Sequence, residues 1–162
     1  MIRDAGPADL PRILEITNDA ILHGTALWTI TPATMETRGA WMRERQSAGL
    51  PVLVAELDGA VQGFGSYGSF RPHDGFVHTV EHSIYIDPTA QRRGLGNAML
   101  TSLIAHATAA GNHAMIGGIA SENTGSILLH ERHGFTRAAT LPQVGRKFDR
   151  WLDLVFMHRL LG

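Results

Sequence analysis

The 162-residue chain contains no cysteine. Disulfides, a thiolate nucleophile and mixed Cys/His zinc sites are therefore excluded. Charge is scarce as well: Asp, Glu, Lys and Arg make up 18% of the residues, and the formal net charge is -1. With its basic residues scattered, the chain has no field to gather nucleic acid or anionic lipid, and neither is expected as a partner. Nine histidines are many for this length, yet none fall at compact zinc spacing, so no metal is expected. The amino terminus lacks the long apolar run of a signal peptide, which leads us to expect a cytoplasmic protein. Apolar residues, in contrast, reach 44%, enough for one core, and residues 1–162 are expected to form a single domain.

Two nucleotide signatures are also missing. No Gly-x-x-x-x-Gly-Lys-Ser/Thr occurs, and no Gly-x-Gly-x-x-Gly opens a helix after the first strand, which makes ATP and NAD poor candidates. A different glycine loop is present, Gln91-Arg92-Arg93-Gly94-Leu95-Gly96. An apolar strand ending Ile84-Tyr85-Ile86-Asp87-Pro88 delivers the chain to it. Leu95, Met99, Leu100, Leu103, Ile104 and Ala107 then recur at helical spacing until Gly111. Strand, basic glycine loop and helix in this order describe a pyrophosphate cradle: successive N–H groups and the positive end of a helix face one anion, and the glycines let the backbone close on it. Taken alone, the six residues also fit an ordinary glycine-rich turn.

Turn and cap signals divide the rest. Asp9 is placed to cap a first helix bearing Leu10, Ile13, Leu14 and Ile21, and Thr31-Pro32 to open a second helix running to Gly49. The runs 52–57 and 61–67 flank Asp58-Gly59-Ala60, a hairpin signal, and 77–86 is the next strand. After the cradle helix, 114–120 reads as a strand and Asn123 caps a short helix ended by Gly134. Segments 135–141 and 151–160 close the sheet. Hairpins in the first half and strand-helix-strand units in the second make a mixed α/β (α+β) order.

With these residues in place, the chain resembles the GCN5-related N-acetyltransferases (GNAT), whose acetyl-CoA pyrophosphate loop reads Gln/Arg-x-x-Gly-x-Gly/Ala between a central strand and a helix. Thr79-Val80-Glu81-His82-Ser83-Ile84-Tyr85-Ile86, Leu129-His130-Glu131 and the stretch from Val144 to Leu154 are similar to the phosphinothricin and methionine sulfoximine acetyltransferase subgroup. The resemblance extends from Ile2 to about Leu160. It implies a mostly antiparallel central sheet splayed at its centre and flanked by helices, acetyl-CoA as co-substrate without a metal, a small amino-acid-like amine as acceptor, and a homodimer.

Residue roles follow from the same resemblance. Glu81 is expected as general base, and His130 stands where many relatives carry a tyrosine acid. The backbone of Ile84, Tyr85 and Ile86 would hold the thioester and pantetheine. Gln91, Arg92, Arg93, Gly94, Leu95, Gly96 and Asn97 would hold the pyrophosphate, with Asn123 and Ser126 as further cofactor contacts. Arg71, Pro72, His73, Glu81, His82, Ser83 and Lys147 would surround the acceptor, Arg71 and Lys147 as cations for its carboxylate. Trp28 is a candidate for the acceptor wall. Asp149 replaces a usual glycine and Thr17 a usual tyrosine, departures that bear on the acceptor. Read without the resemblance, Glu81 is equally an outward strand carboxylate, His130 a structural histidine and Arg71 a solvated cation. Acetylation of a peptide amino terminus or polyamine, and a silent acyl-CoA-binding module, remain open at this level.

Overall fold

The computed structural model describes residues 1–162. Its elements are β1 (Ile2–Asp4), α1 (Leu10–His23), α2 (Met35–Ser47), β2 (Val52–Leu57), β3 (Ala60–Ser69), β4 (Thr79–Ile86), α3 (Leu95–Ala109), β5 (Ala114–Ala120), α4 (Thr124–Arg132), β6 (Thr136–Lys147) and β7 (Arg150–Leu160). The strands form one sheet in the order β1-β2-β3-β4-β5-β7-β6. Every pairing is antiparallel except β4 with β5. No helix is long and apolar enough to cross a membrane.

Strand alternation sorts side chains to the two faces. On one face, α3 and α4 bury Met99, Leu100, Leu103 and Ile127 against Val80, Met115 and Met157, with Ile84 and Ile86 at the edge of this cluster. On the other, α1 and α2 cover Val52, Val54 and Phe64, with Tyr85 packed beside them. Successive residues of β4 thus point alternately to α3 and to α1. Asp58 (φ 53) and Gly59 (φ 79) make the tight turn between β2 and β3, as the sequence predicts.

Several local expectations are corrected. The Asp9 side chain does not cap α1. It takes two bonds from Arg3, at 2.8 and 3.0 Å, and one from the Gly6 N–H, and so closes the preceding 3₁₀ turn. The second helix starts at Met35, not at Thr31-Pro32. Asn18 fixes Ala33 outside the helix through both its N–H and its carbonyl, and Thr34 and Thr37 then form a reciprocal cap. The three-residue β1 was not foreseen, being too short for any periodicity to register. β6 runs to Lys147 rather than Leu141, with a register break around Gln143, whose φ is 54. Asp149 adopts φ 57, the backbone conformation expected of a position where glycine is usual.

Gly63, Gly65 and Gly68 do carry dinucleotide-motif spacing, but they lie inside β3. There they make room for packing: a Cβ on Gly65 would stand 2.9 Å from Met99, and one on Gly68 2.5 Å from the Arg45 guanidinium. They cradle no phosphate.

Candidate active site

The pairing of β4 with β5 runs from Thr79 to His82 on one strand and Ala114 to Gly117 on the other, and stops there. From Ser83 to Ile86 the β5-facing edge of β4 has no partner strand, although β3 still pairs with the opposite edge. Part of the N–H and C=O complement of this segment is left for a ligand. A cleft opens at the split, walled by Glu81, Ser83 and Tyr85 of β4, Gly118 of β5, Asn123 of the following loop and Trp28 of the α1–α2 loop.

Glu81 sits just before the split on the α1 face. Burial raises its carboxyl pKa above the usual range, and Arg71 is the charge that opposes the shift. Ser83 and Tyr85 share that face. His82, expected beside the acceptor, points the other way: it is buried under α4, where its ring meets that of His130 edge to edge, with centroids 4.9 Å apart and planes 12° from parallel. The two rings meet Nε2 to Nε2 at 2.9 Å, and His130 Nδ1 lies 2.7 Å from the Ser126 carbonyl. A carbonyl only accepts, so the hydrogen of His130 belongs on Nδ1; His82 then donates through its Nε2–H to the Nε2 lone pair of His130. Burial keeps both rings neutral and pushes His82 down to about 3. The remaining nitrogen of His82, Nδ1, is buried without a partner. Gly117, opposite His82 in the register, leaves room for the pair: a Cβ there would lie 2.9 Å from His82 Nε2.

A 3₁₀ turn, Pro88–Ala90, capped by Asp87, leads from β4 into the glycine loop, which opens α3. Arg92 and Gly94 both have positive φ, 62 and 84, and Gly94 caps α3 with no side chain competing for the free N–H groups. Space around Gly94 is open. Gln91, Arg92, Arg93 and Asn97 are exposed, and Leu95 is buried in the core, so that it could serve an anion only through its backbone. Arg93 pairs with Asp58 at 3.2 Å, and Asn97 Oδ1 meets His133 Nε2 at 2.9 Å. Asn123 caps α4 by accepting from the Ser126 N–H at 3.1 Å, and both residues line the cleft. An uncapped helix start, an exposed arginine and a half-unpaired strand fit a diphosphate followed by an amide-bearing arm.

Arg71, Pro72 and His73 lie exposed in the β3–β4 loop, outside the cleft wall, with the Arg71 guanidinium 4.9 Å from the Phe70 ring. Lys147 is placed differently from expectation. It is 3% exposed, and its ammonium donates to the carbonyls of Ala20 (3.2 Å), Gly24 (2.5 Å) and Leu27 (2.7 Å). All three of its donors are used on the chain itself, so it anchors the α1–α2 loop rather than offering a cation to an acceptor. Two other arginines escaped sequence reading. Arg38 and Arg45 lie 4.2 and 5.8 Å from the Trp41 ring, neither in a salt bridge, and burial lowers the pKa of both. The signal was the 38, 41, 45 spacing, which puts all three on one helix face.

The Acetyltransferase (GNAT) family profile matches residues 13–135. The chain belongs to the GNAT acetyltransferase family. Among curated GNAT proteins it is 49% identical to the L-methionine sulfoximine/L-methionine sulfone acetyltransferase of Salmonella typhimurium, over 97% of this chain and 92% of that protein. It is 38% identical to the phosphinothricin N-acetyltransferase of Alcaligenes faecalis, over 95% of this chain and 79% of that one. Of solved GNAT structures, a Salmonella typhimurium protein with its cofactor acetyl-CoA superposes with a TM-score of 0.97 at 48% identity, covering 100% of this chain and 94% of that one. The sheet order and the central split are thus those of a GNAT enzyme.

Proposed function

We propose that the protein transfers acetyl from acetyl-CoA to the α-amino group of a small amino-acid analogue of the methionine sulfoximine, methionine sulfone or phosphinothricin kind. One observation carries the reading: the sheet opens immediately after Glu81-His82, so that Glu81 from the α1 face and Ser126 and His130 of α4 from the α3 face line one cleft from opposite sides. Acyl donor and amine can then meet through the gap. The similarity to acetyltransferases named for those acceptors supports the substrate class.

In this reading the amine loses its proton to Glu81, directly or through water, and its nitrogen attacks the thioester carbonyl carbon. The C–S bond breaks as the amide forms, and the thiolate is protonated. The raised pKa of Glu81 suits a base working near neutrality. Unpaired backbone groups in 83–86 are assigned to the thioester carbonyl and pantetheine amides. Gln91 to Asn97 are assigned to the pyrophosphate, Asn123 and Ser126 to the arm between them. His130 is assigned to the sulfur end of the cleft, where its single ring hydrogen must leave the Ser126 carbonyl before it can serve as an acid. Arg71, with Arg38 and Arg45 on the same side of the sheet as Tyr85, gives the acceptor side a positive potential that suits a carboxylate and tetrahedral sulfur or phosphorus oxygens.

We also read the protein as a cytoplasmic homodimer. The edge strand β6 is exposed from Thr136 to Val144, with Leu141 and Val144 among its bare residues, a surface a second copy would cover. Acetyl-CoA-dependent thiol release with the three analogues, spermidine and a short peptide as separate acceptors tests the activity. Turnover confined to the peptide or to spermidine would replace the acceptor class, and silence with all five would remove the enzymatic reading.

A further inference from the structure

Trp28 lines the cleft, yet the reaction above gives it nothing to do. Its position is fixed from several directions. The indole Nε1–H donates to the Thr25 carbonyl at 2.8 Å. The loop backbone leading to it is held by Lys147 through Gly24 and Leu27, while the Thr25 hydroxyl donates to Glu122 at 2.7 Å and Asn18 holds Ala33 beyond it. Glu122 is itself clamped by Arg150 through bonds of 2.6 and 2.9 Å. The benzo edge of the indole then lies on Gly145 of β6: a Cβ at this position would stand 3.0 Å from Cδ2 and closer still to Cε3 and Cζ3.

A flexible side chain would turn aside from such a contact. An indole with its nitrogen tied and its loop anchored at both ends has no free rotamer to take, so a methyl group on residue 145 must displace the ring or the loop that carries it. We infer that Gly145 is a specificity-determining position: its missing side chain seats Trp28 against β6 and thereby sets the width of the cleft open to the acceptor's side chain. This rests on the acetyltransferase reading and adds to it the kind of acceptor admitted, a short unbranched apolar chain lying along a flat aromatic wall with its polar end beyond. Gly145 touches no substrate in this scheme and acts through Trp28 as a positioning residue.

The test is a double-mutant cycle of wild type, Gly145→Ala, Trp28→Ala and the double variant, each first checked for acetyl-CoA binding by calorimetry as evidence of folding. Methionine sulfone and the bulkier phenylalanine serve as acceptors. Gly145→Ala is expected to raise KM for methionine sulfone roughly tenfold or more, with a smaller change in kcat. Trp28→Ala should shift the kcat/KM ratio toward phenylalanine, and adding Gly145→Ala to it should change KM by less than about twofold, because the ring that felt the methyl group is gone. An equal KM penalty in both backgrounds, or none in either, overturns the inference while leaving the acetyltransferase reading intact. A wild type that binds acetyl-CoA but acetylates neither these acceptors nor the other analogues overturns the reading and the inference together.

Discussion

Glu81 and His82 are adjacent in sequence yet belong to different chemistry, because strand alternation sends one to the acceptor face and the other beneath α4. Glu81→Gln should reduce kcat by about 100-fold or more while leaving acetyl-CoA affinity within about twofold, as expected for loss of a general base. In the wild type the acid limb of the kcat/KM profile should lie above the usual carboxylate range, since burial raises Glu81, and the variant should lack that limb. His82 gives a prediction about stability. Its folded pKa is depressed to about 3 from an ordinary 6.5, so its contribution is complete above pH 6.5 and is lost as pH falls toward 3 while the unfolded chain takes up protons. Urea unfolding at pH 7.5 and pH 5 should differ by about 2 kcal/mol from this residue alone. Equal stability at the two pH values would mean that the pair is already charged in the folded state. Lys147→Met should cost on the order of 2–4 kcal/mol, because the Ala20 carbonyl in the last turn of α1 and the Gly24 and Leu27 carbonyls of the α1–α2 loop lose this donor. Chemical denaturation measures it directly.

At the scale of elements, the turn into α3 joins two requirements. Gly94 has φ 84 and ends the glycine loop, so a β-branched residue there meets backbone strain of about 1–2 kcal/mol before any ligand is considered. Gly94→Val should therefore weaken acetyl-CoA binding, read by calorimetry, and a Kd unchanged within twofold would remove the loop from the cofactor site. This element was legible from sequence because glycine, arginine and the helix period each announce it locally. The start of α2 was less so. Thr31-Pro32 is an acceptable helix opening by its own chemistry, and only the Asn18 bonds to Ala33, fifteen residues apart in sequence, move the start to Met35. β6 was cut short for a related reason. Pro142 and Gly145 look like breakers, and the strand tolerates them because it is an edge that bulges there.

For the whole molecule, the exposed length of β6 predicts association. Sedimentation at micromolar concentration should give a dimer, and Val144→Lys should shift it toward monomer; a wild type that stays monomeric would remove the interface. By itself the sequence determined the mixed order of strands and helices and the succession of strand, glycine loop and helix from β4 to α3, because each is written in a run of neighbouring residues: period, glycine and cap; Glu81 stood out only through the family resemblance. Tertiary structure alone decided where the sheet splits, what Lys147 and His82 pair with, and how Trp28 is seated. Those outcomes depend on contacts between residues far apart in the chain: His82 with His130, Lys147 with Gly24 and Leu27, Gly145 with Trp28. A buried ammonium and a substrate-facing one look the same in sequence, and only the positions of three distant carbonyls distinguish them.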